Sequence, residues 1–296
     1  KGRCEYRKTD IAKPSFFEEM DMYHKKIEKE KVEKACDTYA LNKLKKFVAE
    51  RLDGDIKKLK DFDFYTLRED TEFGDERVSV VGLDSILMKS VLTLAFADTY
   101  PDFTYESMDK HKYKPDTINI TNTIFGINFE DYYKALETYD APAELRERVV
   151  RFGKKVHTIG NTMVLPSGLT LMRNTKPLGR GYCDVFLAEF YKMMIGAKKC
   201  NMKMFDALNL KKKEVATFRT EDNFNHIVHE LMLEDFLDEE GKPKQVFQGL
   251  FSWEPGISRD TFIKAANEFL DFCEPFVDKR ADRIIDKLEK VLSNNH

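Results

Sequence analysis

Apolar residues three and four apart, repeated along most of the chain, constrain its fold more than any other feature. Leu41, Leu44, Phe47, Val48, Leu52, Ile56 and Leu59 keep that spacing with Lys, Glu and Asp between them, and a stripe of this period is buried on one side only if the segment is helical. The spacing predicts helix over 16–60, weakened but not ended at Gly54. A connecting loop with short strands is expected over 62–75. The run from Ile86 to Phe96 is apolar nearly all round, which places it at the centre of the core, with Asp84 as its cap and an end before Pro101. Further helices are expected after Asn128 and Asp131, from Asp140 and Pro142 to about Val156, and from Asp184, as cap, to Ile195, with Gly196 as C-terminal cap. The last third predicts helices over 222–238, 259–273 and 276–292, the second capped by Ser258 and separated from the third by Pro275. Phe262, Phe269, Phe272 and Phe276 fall at the spacing of core packing, not of a base-stacking platform.

Two stretches break this pattern. Thr117-Ile-Asn-Ile-Thr121 alternates polar and apolar residues, as a half-buried strand does. Met163–Pro166, a Ser-Gly turn and Leu169–Met172 read as a β-hairpin whose first strand is confined to an edge or an early stop by Pro166. The expected class is therefore mainly α with a small central β-hairpin (α+β), in a multi-helix globular architecture. With no internal repeat and no Pro/Gly/Ser-rich linker, 1–296 reads as one globular unit. Its sub-regions are a helical part (1–140), a basic hairpin-containing part (141–213) and an acidic helical part (214–296). Asp238-Glu-Glu-Gly-Lys-Pro243 is the expected exposed break.

A chain of 296 residues with 42% hydrophobic and 34% charged residues has the composition of a folded soluble protein. No apolar run approaches the roughly 18 residues that span a bilayer, so no membrane association is expected. The N-terminus lacks both the apolar core of a signal peptide and an initiator Met, and reads as a trimmed or incomplete start. Five scattered cysteines without a Cys-x-x-Cys pair fit a reducing, cytoplasmic home. The net charge of −3 conceals an asymmetry: Arg148 to Lys213 holds 14 Lys or Arg against three acids, a balance of +11 that leaves −14 for the rest. A basic middle in an acidic frame fits a polyanion met on one face, such as DNA or RNA. It fits equally a set of cations paired with the chain's own acids. The lysines 211–213 are expected at a carbonyl-rich helix end.

The segment with the composition of a site is His157-Thr-Ile-Gly-Asn161, followed by Thr162-Met-Val-Leu-Pro166 and by Asn174-Thr-Lys-Pro177. It sets an imidazole, a glycine hinge, amides and cations within a short span. These residues resemble the His-x-x-Gly-Asn and Asn-Lys-Pro stretches in the HNH-like C-terminal domain of modification-dependent restriction proteins. The same string with Leu-Pro behind it also resembles a group of bacterial proteins of unknown function. The resemblance spans roughly a quarter of the chain. It implies a diverged nuclease from a bacterial defence context, such as phage defence, in which a general base activates water and a divalent cation stabilises charge on phosphate.

Residue by residue, the resemblance makes His111 the base and Asp109 the metal ligand or the group that orients it, while His157 and Asn174 complete the catalytic set. The family's acid-His-Ile-x-Pro signature is matched here by Asp109-Lys-His-Lys-Tyr-Lys-Pro115, which has one residue more before the proline and lysines where the family is apolar. Arg148, Arg151, Lys154, Lys155, Arg173, Lys176 and Arg180 would form the nucleic-acid face.

The alternative is a non-catalytic protein–protein interaction module in which His157 caps the preceding helix and Gly160 with Asn161 makes a positive-φ turn. His226, His229 and Glu230 share a predicted helix face. Their order matches neither zinc-protease motif, and surface or interhelix roles fit them better. No Gly-rich phosphate loop, nucleophile elbow or kinase signature occurs.

Overall fold

The computed structural model describes residues 38–70, 72–74, 84–119, 136–173, 183–198, 202–208, 210, 212–247 and 258–294. Two compact units divide the chain, Lys1–Cys36 and Asp37–His296, and every described residue belongs to the second. The class is mainly helical with one two-stranded antiparallel sheet among the described residues. None of the described helices is long and apolar enough to cross a membrane.

Helix α1 (Thr38–Arg51) buries the stripe Leu41, Leu44, Phe47 and Val48 against α2 (Ile86–Ala95). It ends sooner than the sequence predicts. Asp53 and Gly54 both take positive φ, and the Gly54 amide donates back to the Val48 carbonyl at 2.9 Å, a left-handed closure that satisfies one of the last free carbonyls. The apolar positions Ile56 and Leu59 beyond it belong to a separate 3-10 turn, Ile56–Asp61, and the loop that follows forms a second, Phe64–Glu69, in place of short strands. The start of the long helix expected from 16, and the helix expected after Asn128, lie outside the described residues. Helix α2 is buried on nearly every side, as expected, but its cap is Ser85, whose hydroxyl accepts from the Met88 amide, and not Asp84.

The short helix α3 (Tyr105–Asp109) leads into β1 (Tyr113–Thr117), so the strand precedes the expected 117–121 segment. Strand β2 (Thr162–Pro166) is buried throughout and pairs antiparallel with β1, Tyr113 opposite Pro166 and Thr117 opposite Thr162. The predicted hairpin partner, Leu169–Met172, is instead part of helix α5 (Ser167–Arg173), numbered after α4 (Ala143–Gly153). The ladder ends at Pro166, and the Ser167 amide and hydroxyl both donate to the Lys112 carbonyl at 2.9 Å, turning the chain into a helix where a Ser-Gly turn was expected.

Helix α6 (Cys183–Met194) is closed by Gly196 at positive φ as expected, and Arg219 donates to its Met193 carbonyl. Asp184 is inside the helix instead of capping it; its buried carboxylate accepts from the Phe247 amide at 3.0 Å. Helix α7 (Lys212–Phe218) has Lys212 and Lys213 in its amide-rich first turn, the reverse of the expected end; Lys211 lies outside the described residues. Helix α8 (Glu221–Glu230) stops short of 238, and a 3-10 turn over Glu234–Phe236 follows.

The largest departure is α9, one helix from Arg259 to Ser293 that contains Pro275. Pro275 and Asp271, whose carbonyl the proline leaves without its usual donor, are both exposed. Water can satisfy that carbonyl and the ring stands clear of the core, so the break expected at this proline does not occur. Ser258 caps α9 through its hydroxyl, as predicted. The inner stripe of Phe262, Phe269, Phe276, Val277, Ile284 and Leu288 is buried and Phe272 packs against it, which brings α9 against α2, α4 and the Ile56–Asp61 turn.

Candidate functional site

The turn Ile159–Asn161 of the His157–Asn161 segment rests against α9. Ile159–Asn161 is a 3-10 turn, buried throughout. Gly160 does not take the expected positive φ. A Cβ at this position would instead overlap the Val277 carbonyl oxygen and lie 2.9 Å from the Ala281 Cβ. Glycine is required for close approach of two backbones, which is the correction to the turn reading.

Asn161 does not take positive φ either. Its buried Oδ1 accepts from the Asn119 amide at 3.0 Å and its Nδ2 donates to the Val156 carbonyl at 3.1 Å and to the Asn119 carbonyl. The side chain therefore extends the β1–β2 pairing by one more step, beyond the Ile118 amide's bond to the Asn161 carbonyl at 2.7 Å.

The group that organises this segment is Arg280, on α9, which is 1% exposed. Its guanidinium donates to the carbonyls of Ile159 (3.1 Å), Gly160 (3.0 Å), Thr162 (2.7 Å) and Leu231 (2.9 Å) and lies 5.3 Å from the Phe96 ring centre. Burial pushes its pKa down to about 9; the four carbonyls, met through Nε and Nη1, compensate part of the cost of burying the charge, while Nη2 is buried without a hydrogen-bond partner. Tyr100, whose hydroxyl burial keeps protonated, donates to the Val164 carbonyl at 3.2 Å. Thr162 and Val164 are two apart, so Arg280 and Tyr100 meet β2 along one edge and take up two of its carbonyls. Arg280 escaped the sequence reading. Its signal was a cation at a core position of the stripe Phe276, Val277, Ala281, Ile284.

His157 lies after the end of α4, where its carbonyl accepts from the Phe64 amide at 3.2 Å. The ring stacks on Tyr65 with centroids 5.2 Å apart, and its Nδ1 is 4.0 Å from Asp63. Burial lowers the imidazole pKa, and the Asp63 carboxylate works against that shift.

His111 is at the other end of the sheet. It is exposed, has positive φ, and its carbonyl accepts from the Ser167 hydroxyl. Because Tyr113 faces Pro166 and Thr117 faces Thr162, His111 stands beyond one end of the ladder. His157 is held at the other end through Val156 and Asn161, and four strand steps span about 13 Å. The structure does not bring the expected base and His157 together. Asp109, the expected metal ligand, faces the Lys89 ammonium at 3.5 Å, on a lysine that is 1% exposed. Among the described residues no group of three or more His, Cys, Asp or Glu side chains is placed to hold a metal ion. Asn174, Lys176 and Arg180, and the side chain of Arg173, lie outside the described residues.

Of the four remaining members of the expected basic face, Arg148, Arg151 and Lys155 meet α9. Arg148 donates to Asp271 (2.8 Å), Glu274 (2.9 Å) and Asn267 (3.1 Å). Partial burial acts to lower its pKa, but these carboxylates hold it above the ordinary arginine value. Arg151 lies 3.5 Å from Glu274, and Lys155 bonds to Asp278. Lys154 is exposed and stands outside this ladder.

His226 and His229 do not share a ligand set. The first bonds to the Asp98 carbonyl at 2.9 Å and the second to Glu234 at 2.8 Å. No family model, curated protein or solved structure matches the chain.

Proposed function

We propose that the chain is a non-catalytic helical module that acts by associating with another protein, in which the His157–Asn161 segment is part of the frame and not a reaction centre. The observation that supports this reading is the use made of the basic segment. Arg148, Arg151 and Lys155 meet Asp271, Glu274 and Asp278 of α9, so a phosphate backbone would have to displace the chain's own carboxylates to reach them. Counterion release, the main source of affinity for nucleic acids, is correspondingly reduced, because these cations are already neutralised. The Thr158 and Asn161 side chains of the His-Gly-Asn segment are likewise directed at backbone partners, and the His157 ring at Tyr65 and Asp63.

The test is fluorescence anisotropy with labelled duplex DNA and single-stranded RNA at about 50 and about 200 mM salt, the range over which phosphate contacts lose most of their affinity. Strand integrity is followed in parallel with and without magnesium. The expected result is no binding tighter than the non-specific range and no cleavage. Tight binding that falls steeply with salt, or cation-dependent cleavage, would overturn the proposal in favour of the diverged nuclease.

A further inference from the structure

We draw no further inference here: the strongest candidate, the buried Asn119 side chain just beyond the end of β1, whose amide oxygen and nitrogen have no hydrogen-bond partner, is a single group, and nothing in the structure shows what it faces or what a ligand there would touch next.

Discussion

Gly160→Ala is expected to destabilise the fold through the crossing of two backbones, and the structure sets the size of the effect. The added methyl would overlap the Val277 carbonyl oxygen and lie 2.9 Å from the Ala281 Cβ. The first obstacle is main chain inside a 35-residue helix, so it cannot rotate away as a side-chain tip would. Forcing a methyl into a packed site costs about 1–3 kcal/mol, and a rigid neighbour places this one at the upper end. Against that, Gly160 has no positive φ, so alanine incurs no left-handed strain and gains roughly 0.4–1 kcal/mol from a stiffer unfolded chain. The net expectation is a loss of about 2 kcal/mol, read by urea unfolding followed by circular dichroism, and a fall in Tm on the order of 4–8 °C for a protein of this size. Gly160→Asn is the discriminating companion. Asparagine tolerates the left-handed region better than alanine does, so it would be accepted if positive φ were the requirement, but it carries the same Cβ. Both variants should therefore lose stability. Wild-type stability in either, or an Asn variant well above the Ala variant, would refute the close-approach account.

Two further outcomes follow from the same segment. Asn161→Ala removes the partner of the Asn119 amide and of the Asn119 and Val156 carbonyls, all at a fully buried site. At about 1–3 kcal/mol for each buried group left unmade, a loss of about 3 kcal/mol or more is expected in the same unfolding assay, and a change under 1 kcal/mol would show that water replaces the amide. His157 has a folded pKa lowered from 6.5, so the unfolded chain takes up the proton first as pH falls. Its contribution is neutral above pH 6.5 and becomes destabilising as pH drops from 6.5 through the lowered folded value. Unfolding titrations between about pH 5 and pH 7.5 should show a slope that His157→Gln diminishes; an unchanged slope would remove His157 from the pH response.

How far the sequence could be read depended on whether the deciding contact was local. The helix stripe of Leu41, Leu44, Phe47 and Val48 and the buried run from Leu87 to Ala95 were legible because periodicity and burial report the same face. Ser258 and Gly196 were legible as caps because a hydroxyl or a positive φ acts within a few residues.

Pro275 misled because its effect depends on which side of the helix faces solvent, and that is fixed by the packing of α9. The strand Thr162–Pro166 was legible as a strand, whereas its partner was not. A Ser-Gly pair after Pro166 is a good turn signal, and only the fold shows that Tyr113–Thr117 reaches the strand first. At the candidate site Gly160 and Asn161 stood out in the sequence, but the reason for Gly160 lies on α9, more than a hundred residues away, and that for Asn161 at Asn119, 42 residues back. Arg280 was hidden for the same reason: a cation among apolar neighbours on one helix gives no hint of the four carbonyls that surround it.

The central claim, that the basic segment serves the fold, is tested most directly by a double-mutant cycle on Arg148 and Glu274. Their side chains are 17% and 19% exposed and 2.9 Å apart, so the pair is better shielded than a surface salt bridge and should exceed the 0.2–1 kcal/mol typical of those. With Arg148→Ala, Glu274→Ala and the double variant measured by urea unfolding, the predicted coupling is about 1–2 kcal/mol, reduced only modestly by added salt. A coupling indistinguishable from zero, with Arg148→Ala as stable as the wild type, would contradict the account and return Arg148 to the set of cations available for a polyanion.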